Sequence, residues 1–132
     1  MSREQRPNPR LNEDLLFQEK PGGPPLYNPN TDKPVRYLTI VDGGGRVLGY
    51  AWANDADDAG GYTARAAAGD DGHNKGGRWA RKLREAKAAG LPPTEALRQL
   101  IAFGGDELSR VEPAVPAELP SLAALKELAA SS

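Results

Sequence analysis

The chain contains no cysteine, and this absence excludes several kinds of site at once. Without thiols there is no disulfide, no thiolate metal site and no cysteine nucleophile. The absence also fits a reducing compartment, so we expect a cytoplasmic protein. No stretch reaches the roughly 18 apolar residues of a membrane span, and residues 1–10 are too polar for a signal peptide. The sequence therefore favours neither export nor a membrane partner.

Large aliphatic and aromatic side chains are also scarce, and aromatic residues make up only 6% of the 132 residues. Such a composition is typical of partly disordered chains, but the formal net charge of −1 removes the repulsion that keeps those chains open. A chain of this length holds one domain. We therefore predict one modest core flanked by disordered chain ends.

Prolines divide the chain into four parts. Residues 1–34 contain seven prolines among polar residues and are predicted to form an extended or disordered arm, whose one apolar run is Leu15 to Phe17. Residues 35–110 are predicted to be a single α+β domain. Residues 111–120 read as a proline-rich linker, and residues 121–130 as a short amphipathic helix.

The terminal helix is too short to be stable alone, so its apolar side must dock on something. We predict that this side contacts a protein partner or a second copy of the chain. Its members are Leu122, Leu125 and Leu128.

Alternating apolar residues predict a β-hairpin over residues 36–53, with its turn in the glycines after Asp42. By the period of two, Leu38 and Ile40 share one face of the first strand, and Leu48, Tyr50 and Trp52 share one face of the second. Residues 62–67 are a weaker candidate for a third strand.

Helical periodicity follows the hairpin. Residues 78–89 repeat Trp79, Leu83 and Ala86 at helical spacing, and Thr94 caps a second helix that ends before Gly104. We therefore predict an α+β fold: a small antiparallel sheet of two to three strands covered on its apolar face by two short helices. An extended N-terminal arm and a linked C-terminal helix complete it.

The charges reverse abruptly in the middle of the chain. Residues 55–71 hold five carboxylates and one base, and residues 75–87 hold six bases and one carboxylate. Free backbone donors at a helix start, glycines and nearby cations together favour an anion site at 72–78. The predicted anion- or nucleic-acid-binding residues are Lys75, Gly76, Gly77, Arg78, Arg81, Lys82 and Arg84. Whether the acidic stretch screens the basic one is left open by the sequence.

Two other groups of residues invite a chemical interpretation. Asp55, Asp57 and Asp58 suit a divalent cation by type, but the positions that an EF-hand loop needs as ligands are alanines. His73 is the single histidine and has carboxylates beside it, but no serine or cysteine nucleophile accompanies it. We therefore predict no metal site, no cofactor and no catalytic set.

The segment 42–51, followed by a strand and a glycine-rich turn into a helix, resembles the early strands and coenzyme-A loop of the Gcn5-related N-acetyltransferases. The resemblance covers about a third of the chain and implies a pyrophosphate contact at 72–78. That family continues from its helix into another strand, whereas this chain continues into Pro92 and Pro93.

Residues 78–103 resemble the helix-turn-helix of lac-repressor-type regulators. This resemblance implies DNA contacts from the second helix, where Arg98 and Gln99 are the candidate base readers. Glu85 and Gln99 depart from the motif at positions that it fills with apolar residues. The positions that match it are Ala86, Gly90, Leu91 and Ala96.

From these features we expect a non-enzymatic cytoplasmic binding or adaptor protein that acts through protein–protein contacts. The alternative is a nucleic-acid-binding protein that uses the basic helix 75–87 and the helix-turn-helix-like segment. A third hypothesis is that the turn 72–78 binds an anion of the phosphate or coenzyme-A type.

Overall fold

The computed structural model describes residues 26–131, so the apolar run at Leu15 to Phe17 lies outside the described residues. These residues form five strands and four α-helices, and the fold is α+β. The strands are β1 (Val35–Asp42), β2 (Val47–Asn54), β3 (Ala59–Ala64), β4 (Ser109–Val111) and β5 (Ala117–Leu119). The helices are α1 (Asp70–Asn74), α2 (Gly77–Ala88), α3 (Pro93–Phe103) and α4 (Leu122–Ser131).

The sheet is antiparallel and larger than the sequence predicted. Strands β3, β2 and β1 lie side by side, and the predicted hairpin of β1 and β2 is confirmed. The prediction of two to three strands understates the sheet, because β4 and β5 both pair with the outer edge of β1, one toward each end. These strands are three residues long and separated by prolines, so neither shows an alternating pattern in the sequence.

A β-bulge changes which side chains share a face. Ile40 pairs with Gly49 and Val41 pairs with Val47, so Leu48 is an extra residue on β2. An inserted residue shifts the alternation by one. The prediction that Leu48, Tyr50 and Trp52 lie on one face is therefore wrong. Leu48 joins the core with Leu38, whereas the two aromatic residues belong to a separate cluster on the other face.

Each face of the sheet has its own helical cover. Helices α2 and α3 bury Trp79, Leu83 and Leu97 with the cluster that contains Leu38 and Ile40, which confirms the predicted position of these two helices. On the opposite face α4 covers the aromatic cluster of β2, and Leu125 is fully buried there. The sheet is thus enclosed between two layers of helix.

The end of the predicted N-terminal arm belongs to the core. Tyr27 is buried, and its hydroxyl donates a hydrogen bond of 2.7 Å to the carbonyl of Leu91. Asn28 forms a parallel bridge to Ala59 beside β3. Residues near 27 are therefore held against the start of β3 and the end of α2.

Across residues 26–131 no helix is long and apolar enough to cross a membrane.

Candidate functional site

The glycine-rich turn is helical, and its glycines make room for an aromatic ring. Lys75 and Gly76 have right-handed helical dihedrals, so the chain passes from α1 into α2 with little interruption. A Cβ on Gly76 would lie 2.2 Å from the Cζ atom of Tyr62. The Tyr62 hydroxyl donates a 2.7 Å hydrogen bond to the carbonyl of Gly72, and burial raises the pKa of the phenol. Gly76 is therefore covered by protein.

The three aspartates considered for metal binding have three different structural partners. Asp55 accepts hydrogen bonds from the Thr94 backbone N–H at 2.9 Å and from its hydroxyl at 2.6 Å, so Asp55 caps α3. Thr94, predicted as the cap, is instead inside the helix. Asp58 pairs with Lys87. Within residues 26–131 no group of three or more His, Cys, Asp or Glu side chains could hold a metal ion.

Asp57, the third of these aspartates, joins the loop to the residues before β1. It accepts a 2.6 Å hydrogen bond from the Thr31 hydroxyl and lies 3.0 Å from Lys33 Nζ. These two hydrogen bonds hold the pKa of Asp57 below its usual value. The Asp57 carboxylate thus holds the loop after β2 against the residues before β1.

The acidic stretch screens the basic helix at its two ends and leaves the middle free. Asp71 lies 3.8 Å from Lys75 before α2, and Asp58 pairs with Lys87 near the end of α2. Between them, Arg81 and Arg84 form no ion pair with any carboxylate among residues 26–131. The central turns of α2 therefore present positive charge that no carboxylate of the described chain pairs with.

Arg78 is a fixed cation at the start of this surface. Its guanidinium donates two hydrogen bonds to Asp106, at 2.7 and 2.9 Å, and one of 2.6 Å to the carbonyl of Ser109. Its Cζ atom lies 5.3 Å from the ring centroids of both Trp79 and Phe103. The hydrogen bond from Arg78 holds the pKa of Asp106 well below its usual range. Arg78 thus links α2 to the loop before β4.

A groove of about 390 Å³ lies where the start of α2 meets this loop. Three cations line it, and Leu108 contributes an apolar side chain that is 59% exposed. Leu108 and Ser109 come from the far end of the domain, and no motif in the sequence marks them. We call this site the basic groove; its lining residues are Asn74, Lys75, Gly77, Arg78, Arg81, Leu108 and Ser109.

The structure therefore brings together four of the seven predicted binding residues: Lys75, Gly77, Arg78 and Arg81. The other three lie elsewhere. Gly76 is beneath Tyr62, and Lys82 Nζ lies 3.9 Å from the ring centroid of Phe103. Arg84 lines a smaller pocket of about 160 Å³ with Leu26.

The remaining candidates lie away from the groove. His73 is exposed in α1 and does not line it. Leu122 and Leu125 are buried against the sheet, and Leu128 packs beside them, so these leucines contact the protein's own core. Arg98 is exposed on α3 and lies 2.7 Å from the carboxylate of Glu95.

No family model matches this chain, and neither the curated proteins nor the solved structures include a significantly similar one. The chemistry of the basic groove must therefore be inferred from its own residues.

Proposed function

We propose that this chain is a non-enzymatic binding protein whose basic groove holds a short acidic and partly apolar segment of a partner protein. One observation carries the proposal: Arg81, which pairs with no described carboxylate, shares a groove with the exposed side chain of Leu108. The guanidinium suits a carboxylate, and the leucine suits an apolar side chain of the same segment. Lys75 and Arg78 line the same groove.

The distribution of ion pairs favours an acidic segment over nucleic acid. Nucleic-acid affinity comes largely from the number of phosphates that Lys and Arg neutralise. Here Lys75, Arg78 and Lys87 each have an internal carboxylate partner. A continuous track along a phosphate backbone would require these pairs to open, whereas one short acidic segment needs only the central cations.

One observation keeps nucleic acid as the second candidate. Phe103 is 42% exposed beneath the ammonium group of Lys82, and an exposed aromatic ring beside a cation is a suitable platform for a stacked base. Coenzyme-A-type binding at the turn is disfavoured, because the Tyr62 ring occupies the space next to Gly76.

Mapping by NMR separates the two candidates. The ¹⁵N-labelled chain is titrated with a synthetic peptide of alternating Asp and Leu and, separately, with single-stranded oligo-dT, each at low and moderate salt. The proposal predicts shifts from the peptide at Gly77, Arg81 and Leu108. Salt-dependent shifts from oligo-dT around Phe103, with none from the peptide, would replace the proposal by the nucleic-acid alternative. Shifts from neither ligand would refute both.

A further inference from the structure

We infer that residues 13–19 of the same chain occupy the basic groove and the adjoining face of α2 until a partner displaces them. The inference rests on the proposed function, since it assumes that this groove accepts acidic and apolar segments. The segment reads Glu-Asp-Leu-Leu-Phe-Gln-Glu, with three carboxylates and three large apolar residues among seven positions. No other part of the chain combines the two chemistries so closely.

The surface around α2 has the complementary chemistry. Four large apolar residues in the described chain are exposed, and three of them, Leu26, Phe103 and Leu108, contact or share pockets with α2. Two arginines that pair with no carboxylate among residues 26–131 lie among them: Arg84 shares a pocket with Leu26, and Arg81 shares the basic groove with Leu108. A ligand with alternating acidic and apolar groups would cover both kinds of exposed side chain.

The position of Leu26 brings the segment within reach of the groove. Leu26 lines the same pocket as Ala80 and Arg84, so the described chain begins beside the middle of α2. Six residues, 20–25, separate Glu19 from Leu26, and an extended chain of that length spans about 20 Å. The 12 residues of α2 extend over about 18 Å. The tether is therefore long enough to reach any point of the exposed face.

A tethered ligand lowers the apparent affinity for any partner. Short flexible tethers give effective concentrations in the millimolar range, so a weak intramolecular contact still competes. Neutralising the segment by the triple substitution Glu13→Gln, Asp14→Asn and Glu19→Gln is therefore expected to raise the affinity for the Asp-Leu peptide several-fold. The matched control neutralises Glu4, Glu112 and Glu118, which removes the same charge elsewhere in the chain.

The lack of native cysteine allows a direct test in the full chain. Gln18→Cys carries a single nitroxide label, and paramagnetic broadening of the backbone amides is measured. We expect broadening at Gly77, Arg81, Arg84 and Leu108, and little in α4 on the opposite face of the sheet. Broadening should weaken in 1 M salt, where the Debye length falls to about 3 Å, and in the neutralised triple variant.

Two results would overturn the inference. The first is broadening that leaves the amides of α2 unaffected. The second is equal broadening in a mixture, where unlabelled-isotope chain carries the nitroxide and ¹⁵N-labelled chain carries none. The second result would assign the contact to neighbouring copies. Peptide binding at Arg81 without broadening would refute the inference and leave the proposed function standing. Broadening at α2 with no peptide binding, even to the neutralised variant, would refute the proposed function and leave the intramolecular contact standing.

Discussion

Substitution of Gly76 by alanine tests whether the glycine-rich segment is packed against Tyr62 as the structure shows. The added methyl group would lie 2.2 Å from both Cζ and Oη of Tyr62 and 2.4 Å from the carbonyl oxygen of Gly72. Ordinary contacts begin near 3.4 Å, so the ring must move by about 1 Å. Gly49 also approaches the hydroxyl closely and limits the direction of that movement.

The expected loss combines two effects. Overpacking costs about 1–3 kcal/mol, and moving the hydroxyl away from Gly72 forfeits a hydrogen bond worth about 0.5–1.5 kcal/mol. Alanine recovers up to about 1 kcal/mol through its better helix propensity. The free energy of unfolding of Gly76→Ala should therefore fall by about 1–3 kcal/mol, measured by urea denaturation with the fluorescence of buried Trp52 and Trp79.

The next residue supplies the control. Gly77 is exposed at the start of α2, and no atom beyond its chain neighbours lies within 4 Å of an added Cβ. Gly77→Ala should therefore leave the stability unchanged or raise it by up to about 1 kcal/mol. Tyr62→Phe should cost less in the Gly76→Ala background than in the wild type, because the hydroxyl hydrogen bond is already weakened. Equal stability of the two alanine variants would refute the packing argument.

Three further predictions concern the contacts that hold the fold. Asp55→Ala removes the cap of α3 and should lower the free energy of unfolding by about 0.5–2 kcal/mol in urea, whereas an unchanged value would show that α3 needs no such cap. Leu125→Ala should cost about 2–5 kcal/mol in the same assay, because this side chain of α4 is fully buried against the sheet; a loss below about 1 kcal/mol would mean that α4 is not docked. Asp106→Asn should lower stability at pH 7 through its contact with Arg78. Because the folded-state pKa of Asp106 is depressed, this contribution is present above the ordinary aspartate pKa of about 3.9 and declines as the pH falls below it. The difference between the urea midpoints of wild type and variant should therefore be constant from pH 7 to about pH 4 and shrink from there toward pH 2, and a difference that stays the same at all these pH values would contradict the assignment.

Periodicity predicted much of the fold but could not reveal its irregularities. The hairpin and helices α2 and α3 were predictable because their apolar residues repeat at the period of each element, with glycine and proline at the ends. The bulge at Leu48 leaves no local signal, since one extra residue changes the face without changing the composition. Strands β4 and β5 form only by pairing with β1, and this pairing is non-local.

The candidate site was predictable in its charges and not in its shape. The stretch after the charge reversal contains Lys75, Arg78 and Arg81, which line one groove. A glycine in a sequence can provide either flexibility or space, and Gly76 provides space for Tyr62. The partner of Arg78 is Asp106, which is 28 residues away and outside the acidic stretch. Leu108 reaches the groove because β4 follows it, so its role depends on the tertiary fold.

The affinity of the Asp-Leu peptide for two arginine variants shows whether the basic groove binds acidic segments through Arg81. Arg81 lines the basic groove, whereas Arg98 lies on α3 with a side chain that is 70% exposed and outside the groove. We expect Arg81→Ala to weaken binding about 3- to 10-fold, equivalent to about 0.6–1.4 kcal/mol, and Arg98→Ala to leave it unchanged. Equal losses in the two variants, or a loss confined to Arg98→Ala, would contradict this expectation.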